Sequence, residues 1–373
     1  MRKIKVLHCL VRIGSGGVEQ RRLLLAKYLD ENKYEQVFLC TDEIGELAGE
    51  FRENGNKVIC IGLMKNIFDI GKYIEVIRVI KNFKPDIVHG AVFEGNALAT
   101  VAGTLTRAKI IIAEETSDPE NRRWRGHLLV RFFFSLADKA VGVSPFVSDY
   151  LKSKLKIDPK KIVTIINGVA NGRIMPTNRE QTRERLCISD DTFVIGFVGR
   201  LEDDVKQVSL LIKVVEKLVR EGKKVHLLIV GDGEDRALLE ALSNDLILLK
   251  CITFVGYQPT TDQFYAAMDL FCLPSRRESF GLVLAEAMFA NLPIVASNVG
   301  GIPFVVEDGV SGLLAKSGDE VDFYNKILTV IKSPVLRDNL RESGYLRASK
   351  LFSEESYCNA VDAFYTDLLR GNN

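Results

Sequence analysis

Short runs rich in Val, Ile and Leu alternate with longer segments of helical period from one end of the chain to the other, and no other feature constrains the fold as much. Strands that are apolar almost without interruption are buried on both faces, the signature of parallel sheets covered by helices. In the first half the predicted strands are residues 4–10, 36–40, 57–61, 87–89, 109–113, 139–143 and 162–166. A polar, weakly patterned stretch, 167–184, precedes a second series at 192–199, 224–231, 252–255, 270–273, 293–296 and 312–315, followed only by helices. The 373 residues therefore divide into two α/β domains of similar size, 1–170 and 171–352, each able to bury its own core. Open parallel sheets bind ligands at the carboxyl ends of their strands, so the expected site is a cleft between the two domains.

Composition removes several classes of function. Lys and Arg number 50 against 49 Asp and Glu, a balance that argues against a nucleic-acid partner. The basic start is followed by an apolar run that stops at Arg12, too short for a signal core, so export is not expected. The uncharged stretch over 287–306 contains Pro293, Gly300, Gly301 and Pro303 and reads as core helix, strand and loop rather than a membrane span. Seven cysteines (Cys9, Cys40, Cys60, Cys187, Cys251, Cys272 and Cys358) form no CxxC pair and no close-spaced framework, which suits a reducing cytoplasm. His8, His89, His127 and His226 lie far apart in sequence and none has a ligand partner at metal spacing, so no metal site is expected; no cofactor is expected either.

Three segments carry chemistry. After the first strand, Gly14, Ser15, Gly16 and Gly17 open a helix predicted over 21–29, where exposed N–H groups suit a phosphate or sugar. A dinucleotide fingerprint would need glycine at position 19, which is Glu19; an ordinary βα turn is the other reading. In the second domain Gly199, Arg200 and Leu201 follow a strand, with Lys206 just beyond. An arginine fork and a lysine point charge together suit a diphosphate, although both could instead neutralise Glu202, Asp203 and Asp204. Gly231 with Asp232, and Gly256 with Tyr257, end two further strands, and three such loops on one sheet edge suggest a nucleotide-sized pocket.

The third segment runs from Pro274 to Ala287. Glu286 is the only charge between Ser279 and Val306 and lies in a helix apolar nearly all round, where an unpartnered carboxylate is costly. Ligand hydroxyls, such as those of a ribose, are suitable donors; a buried ion pair is the alternative. Glu278 lies eight residues earlier, at most about 12 Å away if helical, and the helix N-terminus between them would face a diphosphate. For Glu278 an ion pair with Arg276 or Arg277 is the competing reading.

These residues resemble the retaining, GT-B-fold glycosyltransferases of family four, the group 1 family, over essentially the whole chain. The likeness rests on the EX7E motif from Glu278 to Glu286, on Ser279, Phe280 and Gly281 inside it, on Gly199, Arg200 and Leu201 with Lys206, and on Gly16 and Gly17. It implies two Rossmann-like domains facing across a cleft, with a C-terminal helix over 353–373 crossing back to the first, which would bind the acceptor. It implies transfer of a sugar from a nucleotide diphosphate donor to an acceptor hydroxyl, with retention and without a metal. Arg200 and Lys206 would hold the diphosphate, Glu278 the sugar hydroxyls and Glu286 the ribose. Backbone around Phe280, Gly281, Leu282 and Val283 would contact sugar and phosphate. Many members carry a histidine where this chain has Glu115, which makes Glu115 a candidate catalytic residue.

Residues 121–134 hold four arginines, four aromatics and no acid. Arg122, Arg123, Trp124, Arg125 and Arg131 make a membrane-surface helix possible, and an amphipathic helix packed on the domain is the plainer alternative. The expected partners are a nucleotide sugar and a glycan or lipid-linked acceptor, in cell-surface glycan assembly. A nucleotide-sugar epimerase-type enzyme on the same fold, or an inactive glycan- or nucleotide-binding subunit, are the competing functions.

Overall fold

The computed structural model describes residues 2–14, 16–116, 124–170, 179–245 and 250–371. The chain forms two compact units, Met1–Val169 with Glu354–Asn373, and Ala170–Ser353. The first unit contains β1 (Ile4–Cys9), β2 (Arg12–Ile13), β3 (Tyr34–Cys40), β4 (Asp42–Glu43), β5 (Lys57–Cys60), β6 (Ile87–Ala91), β7 (Ile110–Glu115), β8 (Lys139–Gly142) and β9 (Ile162–Thr164). The second contains β10 (Phe193–Val198), β11 (Val225–Val230), β12 (Ile252–Gly256), β13 (Leu270–Leu273), β14 (Ile294–Ser297) and β15 (Leu313–Ala315). Every strand predicted from the alternating pattern is present, with ends displaced by at most two residues. The pattern misses β2 and β4, which pair only with each other; two residues each, three of the four charged, give no apolar run.

The two main sheets have the orders β5-β3-β1-β6-β7-β8-β9 and β12-β11-β10-β13-β14-β15. Both wind outward in two directions from a central strand, so each has one switch point, between β1 and β6 and between β10 and β13. β6, β7, β11 and β13 are buried along their whole length, mostly by apolar side chains, with His89, Glu114, Glu115 and His226 as buried polar exceptions. Some helices have side-chain N-caps. Ser144 accepts from the N–H of Val147 ahead of Pro145, and Ser333 from that of Leu336 ahead of Pro334.

The terminal helix Glu354–Arg370 belongs to the first unit. Its Tyr357, Cys358, Val361 and Tyr365 complete a core with Val6, Ile87, Ile110 and Ile112, and Asp362 accepts from Lys33 and from the Tyr34 hydroxyl at 2.6 and 2.8 Å. Beneath that core lies a charged cluster that sequence patterning does not reveal. Arg21 and Arg22, on the helix Gly17–Tyr28, both donate to Glu114 of β7, at 2.8 and 2.5 Å. His89 touches the same carboxylate at 3.1 Å and meets the Tyr365 hydroxyl at 2.7 Å.

Burial alone would push the Glu114 carboxyl up, but the guanidiniums of Arg22 and Arg21 outweigh it and hold the group well below the usual carboxylate range. Burial, and then Arg22, lower His89 to about 4, so its imidazole is neutral at pH 7. Removing one partner of a buried ion cluster leaves the other charges uncompensated. Glu114→Ala should therefore destabilise the first unit by about 3–5 kcal/mol, read as a lowered urea midpoint of that unit's transition. An unchanged midpoint would show that the arginines find other partners.

Candidate active site

In the second unit the residues singled out from the sequence gather at the carboxyl ends of β10 and β13, the two strands that flank the switch point. The chain leaving β10 passes through Gly199, Arg200 and Leu201 into the short helix Asp203–Lys206. The chain leaving β13 runs through Pro274 to Gly281 into the helix Leu282–Phe289. The loops are tied by the Arg276 N–H, which donates to the Val205 carbonyl at 2.8 Å. Across this junction Lys206 Nζ donates to Glu278 Oε2 at 2.6 Å, joining residues 72 positions apart. Their side chains are only 19% and 14% exposed.

Neighbouring glycine loops brace this edge. The Gly199 N–H donates to Val230 O at 3.0 Å, Leu201 N–H to Asp232 O at 3.0 Å and Gly231 N–H to Gly256 O at 2.9 Å. A Cβ on Gly231 would lie 1.9 Å from the Gly199 carbonyl oxygen, so no other residue permits this approach. Under Glu278 the constraint repeats: Gly300, at φ +54°, would put a Cβ 2.0 Å from the Glu278 carbonyl oxygen, and Gly301 donates to that oxygen at 2.8 Å. The Gly300-Gly301 pair closing β14 is the sequence signal that could have placed this support. Asp203 is also occupied, accepting from the N–H and hydroxyl of Ser209, which leaves Lys206 free to reach Glu278.

Several of the expected side chains have protein partners. Arg200 does not converge with Lys206 on one point; its side chain is 70% exposed and pairs with Glu202 at 2.7 Å. Glu278 pairs with Lys206 and not with its neighbours Arg276 or Arg277. Asp232 is exposed and paired with Arg236, and Tyr257 is exposed. Phe280 turns its ring into the core against Phe352, 5.5 Å between centroids, which leaves only its backbone for a ligand. Gly281, at φ +91°, caps the helix with no side-chain bond to its first N–H groups, and Leu282 and Val283 are half-buried behind it.

Glu286 lies just over one turn into that helix, about 6 Å beyond Leu282 along its axis. It is half-buried rather than sealed, and it is not in an ion pair among the described residues. Its Oε2 accepts from the Tyr265 hydroxyl at 2.8 Å, a partner that sequence reasoning missed because Tyr265 lies on a different helix, Asp262–Ala267. Burial raises the Glu286 carboxyl above its ordinary value, the Asp262 charge adds to this, and the Tyr265 hydrogen bond opposes both.

The other predicted residues lie in the first unit. Gly16 caps the helix Gly17–Tyr28, and a Cβ there would overlap the Glu19 carboxylate at 2.3 Å. Glu115 ends β7, is 1% exposed, and accepts from the N–H of Thr116. Arg122, Arg123 and Ser15 lie outside the described residues.

Two doubly wound parallel-sheet units in one chain are the architecture of the GT-B class of folds. Solved structures agree with this. Anabaena HepE in complex with UDP and glucose superposes with a TM-score of 0.86 at 20% identity, covering 97% of this chain and 99% of that one. WaaG, a glycosyltransferase involved in lipopolysaccharide biosynthesis, gives 0.74 at 16% identity over 95% and 99%. The family models for glycosyl transferases group 1 and glycosyltransferase family 4 match residues 178–347 and 15–173. The chain belongs to the group 1 glycosyltransferases of family four.

Among relatives, the D-inositol 3-phosphate glycosyltransferase of Actinosynnema mirum is 30% identical over 258 residues, 66% of this chain and 61% of that protein. The N-acetyl-alpha-D-glucosaminyl L-malate synthase of Bacillus anthracis is 28% identical over 65% and 63%. The chain thus spans less than two thirds of the length of these relatives.

The raised Glu286 carboxyl has a testable sign. The folded chain keeps this proton at pH values where the unfolded chain has lost it, so the group's contribution to stability falls as pH rises from the ordinary carboxylate range to the raised value. Glu286→Gln should flatten that part of the stability-against-pH curve, and Tyr265→Phe, which removes the opposing bond, should extend it upward. Denaturant midpoints measured across pH 4–8 would check both; a curve identical in all three proteins would contradict the assignment.

Proposed function

We propose that this chain is a retaining glycosyltransferase that moves a sugar from a nucleoside diphosphate donor to an acceptor hydroxyl in cell-surface glycan assembly. The observation that carries the reading is the Lys206–Glu278 pair at 2.6 Å. It places a cation and a carboxylate side by side at the switch point, the two groups that a leaving diphosphate and a sugar's hydroxyls require. Glu286, with one oxygen committed to Tyr265, accepts ribose hydroxyls. Arg200 joins the diphosphate by leaving Glu202, a small loss because exposed ion pairs contribute only about 0–1 kcal/mol.

In the reaction the bond from C1 to the phosphate oxygen breaks with its electron pair passing to the diphosphate. The acceptor oxygen bonds to C1 on the same face, and its proton passes to the departing phosphate. Lys206 and Arg200 meet the growing negative charge, so the proposed chemistry draws its positive charge from side chains and assigns no step to a metal. Glu115 is assigned to the acceptor side. The setting proposed is the cytoplasm, with a nucleotide sugar and a glycan or lipid-linked acceptor as partners.

A thermal-shift panel of uridine, guanosine and adenosine diphosphates with their sugars tests the donor class, since selective binding stabilises the folded chain by mass action. With the donor so identified, Lys206→Ala and Glu286→Ala should each lower transfer by at least about 100-fold while circular dichroism is unchanged. Unaltered turnover in both variants would reject the site.

We also propose that the helix Trp124–Leu136 rests on an anionic membrane surface. No described helix is long and apolar enough to cross a membrane. This one, however, exposes Trp124 (66%), Leu128 (55%) and Phe132 (52%) at intervals of four, with Arg125 stacked 5.2 Å from the Trp124 ring, while Val130, Phe133 and Phe134 pack inward. Trp124 is the only tryptophan in the chain. Its emission should shift to the blue with vesicles containing anionic lipid and not with neutral ones, and Phe132→Ser with Leu128→Ser should remove the shift. No shift on anionic vesicles would leave the stripe a solvent-facing surface.

A further inference from the structure

β3 and β5 pair in parallel, and the last residues in their register are Cys40 and Cys60. Residues opposed across a parallel ladder project to the same face, so two thiols separated by twenty positions in sequence become neighbours. Just past Cys40 the chain enters β4, where Glu43 adds a carboxylate. The two Sγ atoms and a Glu43 oxygen lie within 4.8 Å of one another. Cys40 is buried, Glu43 half-buried and Cys60 exposed, which gives the cluster a closed floor and an open mouth. Tetrahedral coordination with metal–sulfur bonds of about 2.3 Å and metal–oxygen bonds of about 2.1 Å separates ligand atoms by roughly 3.5–4 Å, within reach of small side-chain rotations here.

We propose that Cys40, Cys60 and Glu43 bind a thiophilic divalent cation of the zinc class, with water in the fourth position. Two sulfurs and one oxygen favour such an ion over magnesium or calcium, which take oxygen sets. The cation would fasten the end of the four-residue edge strand β5 to β3 and β4, where otherwise only one ladder holds it. An existing ion pair competes with it. Both Glu43 oxygens accept from Arg52 Nη2, at 2.7 and 2.8 Å. That pair is partly exposed and weak, and it competes with the ion for the same carboxylate. The site lies wholly in the first unit and does not depend on the proposed transfer reaction.

The test uses the full chain, kept reduced with a phosphine and stripped with chelator, titrated with Zn2+ by calorimetry and with Co2+ by absorption. One ion per chain and a thiolate-to-cobalt charge-transfer band are expected. Cys60→Ser should weaken the band, because Cys40 alone then supplies a thiolate, and should weaken Zn2+ by more than the ~10–100-fold that loss of an outer-shell partner costs. Glu43→Gln should weaken it by at least about 10-fold, and Cys187→Ser, at an exposed cysteine elsewhere, should change nothing. Arg52→Ala should tighten binding, a sign that a fortuitous cluster would not give. Absence of the band, or a Zn2+ affinity unmoved by Cys60→Ser, would overturn the proposal.

Discussion

Parallel strands all release the chain at the same edge of their sheet, and this constraint decides where chemistry can collect in each unit. In the second unit β10 has β11 on one side and β13 on the other, so the segments after these strands are brought together whatever their separation in sequence. Lys206 and Glu278 meet for that reason. Backbone contacts that only glycine permits, Gly231 on Gly199 and Gly300 on Glu278, then fix the loops to within the tolerance that charged groups need.

The two units handle charge in opposite ways. The Lys206–Glu278 pair keeps some access to water, so a polar ligand can enter the pair without stranding either group. The Arg21, Arg22 and Glu114 cluster is almost fully sealed, with exposures of 4% or less. In such surroundings the desolvation of three charges is offset only by near-ideal geometry, and such a cluster gives little net stability over apolar packing of the same volume. It ties the helix Gly17–Tyr28 to the end of β7, beside Glu115.

Much of this architecture was legible beforehand because apolar runs in buried parallel strands are unambiguous. All the long strands could be read from Val, Ile and Leu spacing, and the missing ones, β2 and β4, are too short and polar to carry that signal. The residues that meet at the β10–β13 edge were also readable as candidates, because Glu286 is an isolated charge in an apolar stretch. Their pairings were not. Whether Glu278 takes Arg276 or Lys206, or Arg200 takes an anion or Glu202, depends on which loops the sheet order makes adjacent. The Tyr265 bond to Glu286, the sealed cluster around Glu114 and the Cys40–Cys60 pairing are all contacts between distant segments, and no local periodicity encodes them.

The position of the helix Glu354–Arg370 has a consequence for how the chain is made. Tyr357, Cys358, Val361 and Tyr365 fill the floor of the N-terminal unit, yet they leave the ribosome only after the whole second unit has been synthesised. The N-terminal unit therefore waits with an unfinished interior while its successor, which is contiguous from Ala170 to Ser353, can fold as it emerges. The usual order of vectorial folding is inverted: the half translated first is the half completed last, and its open floor is the surface that a holding chaperone would have to cover.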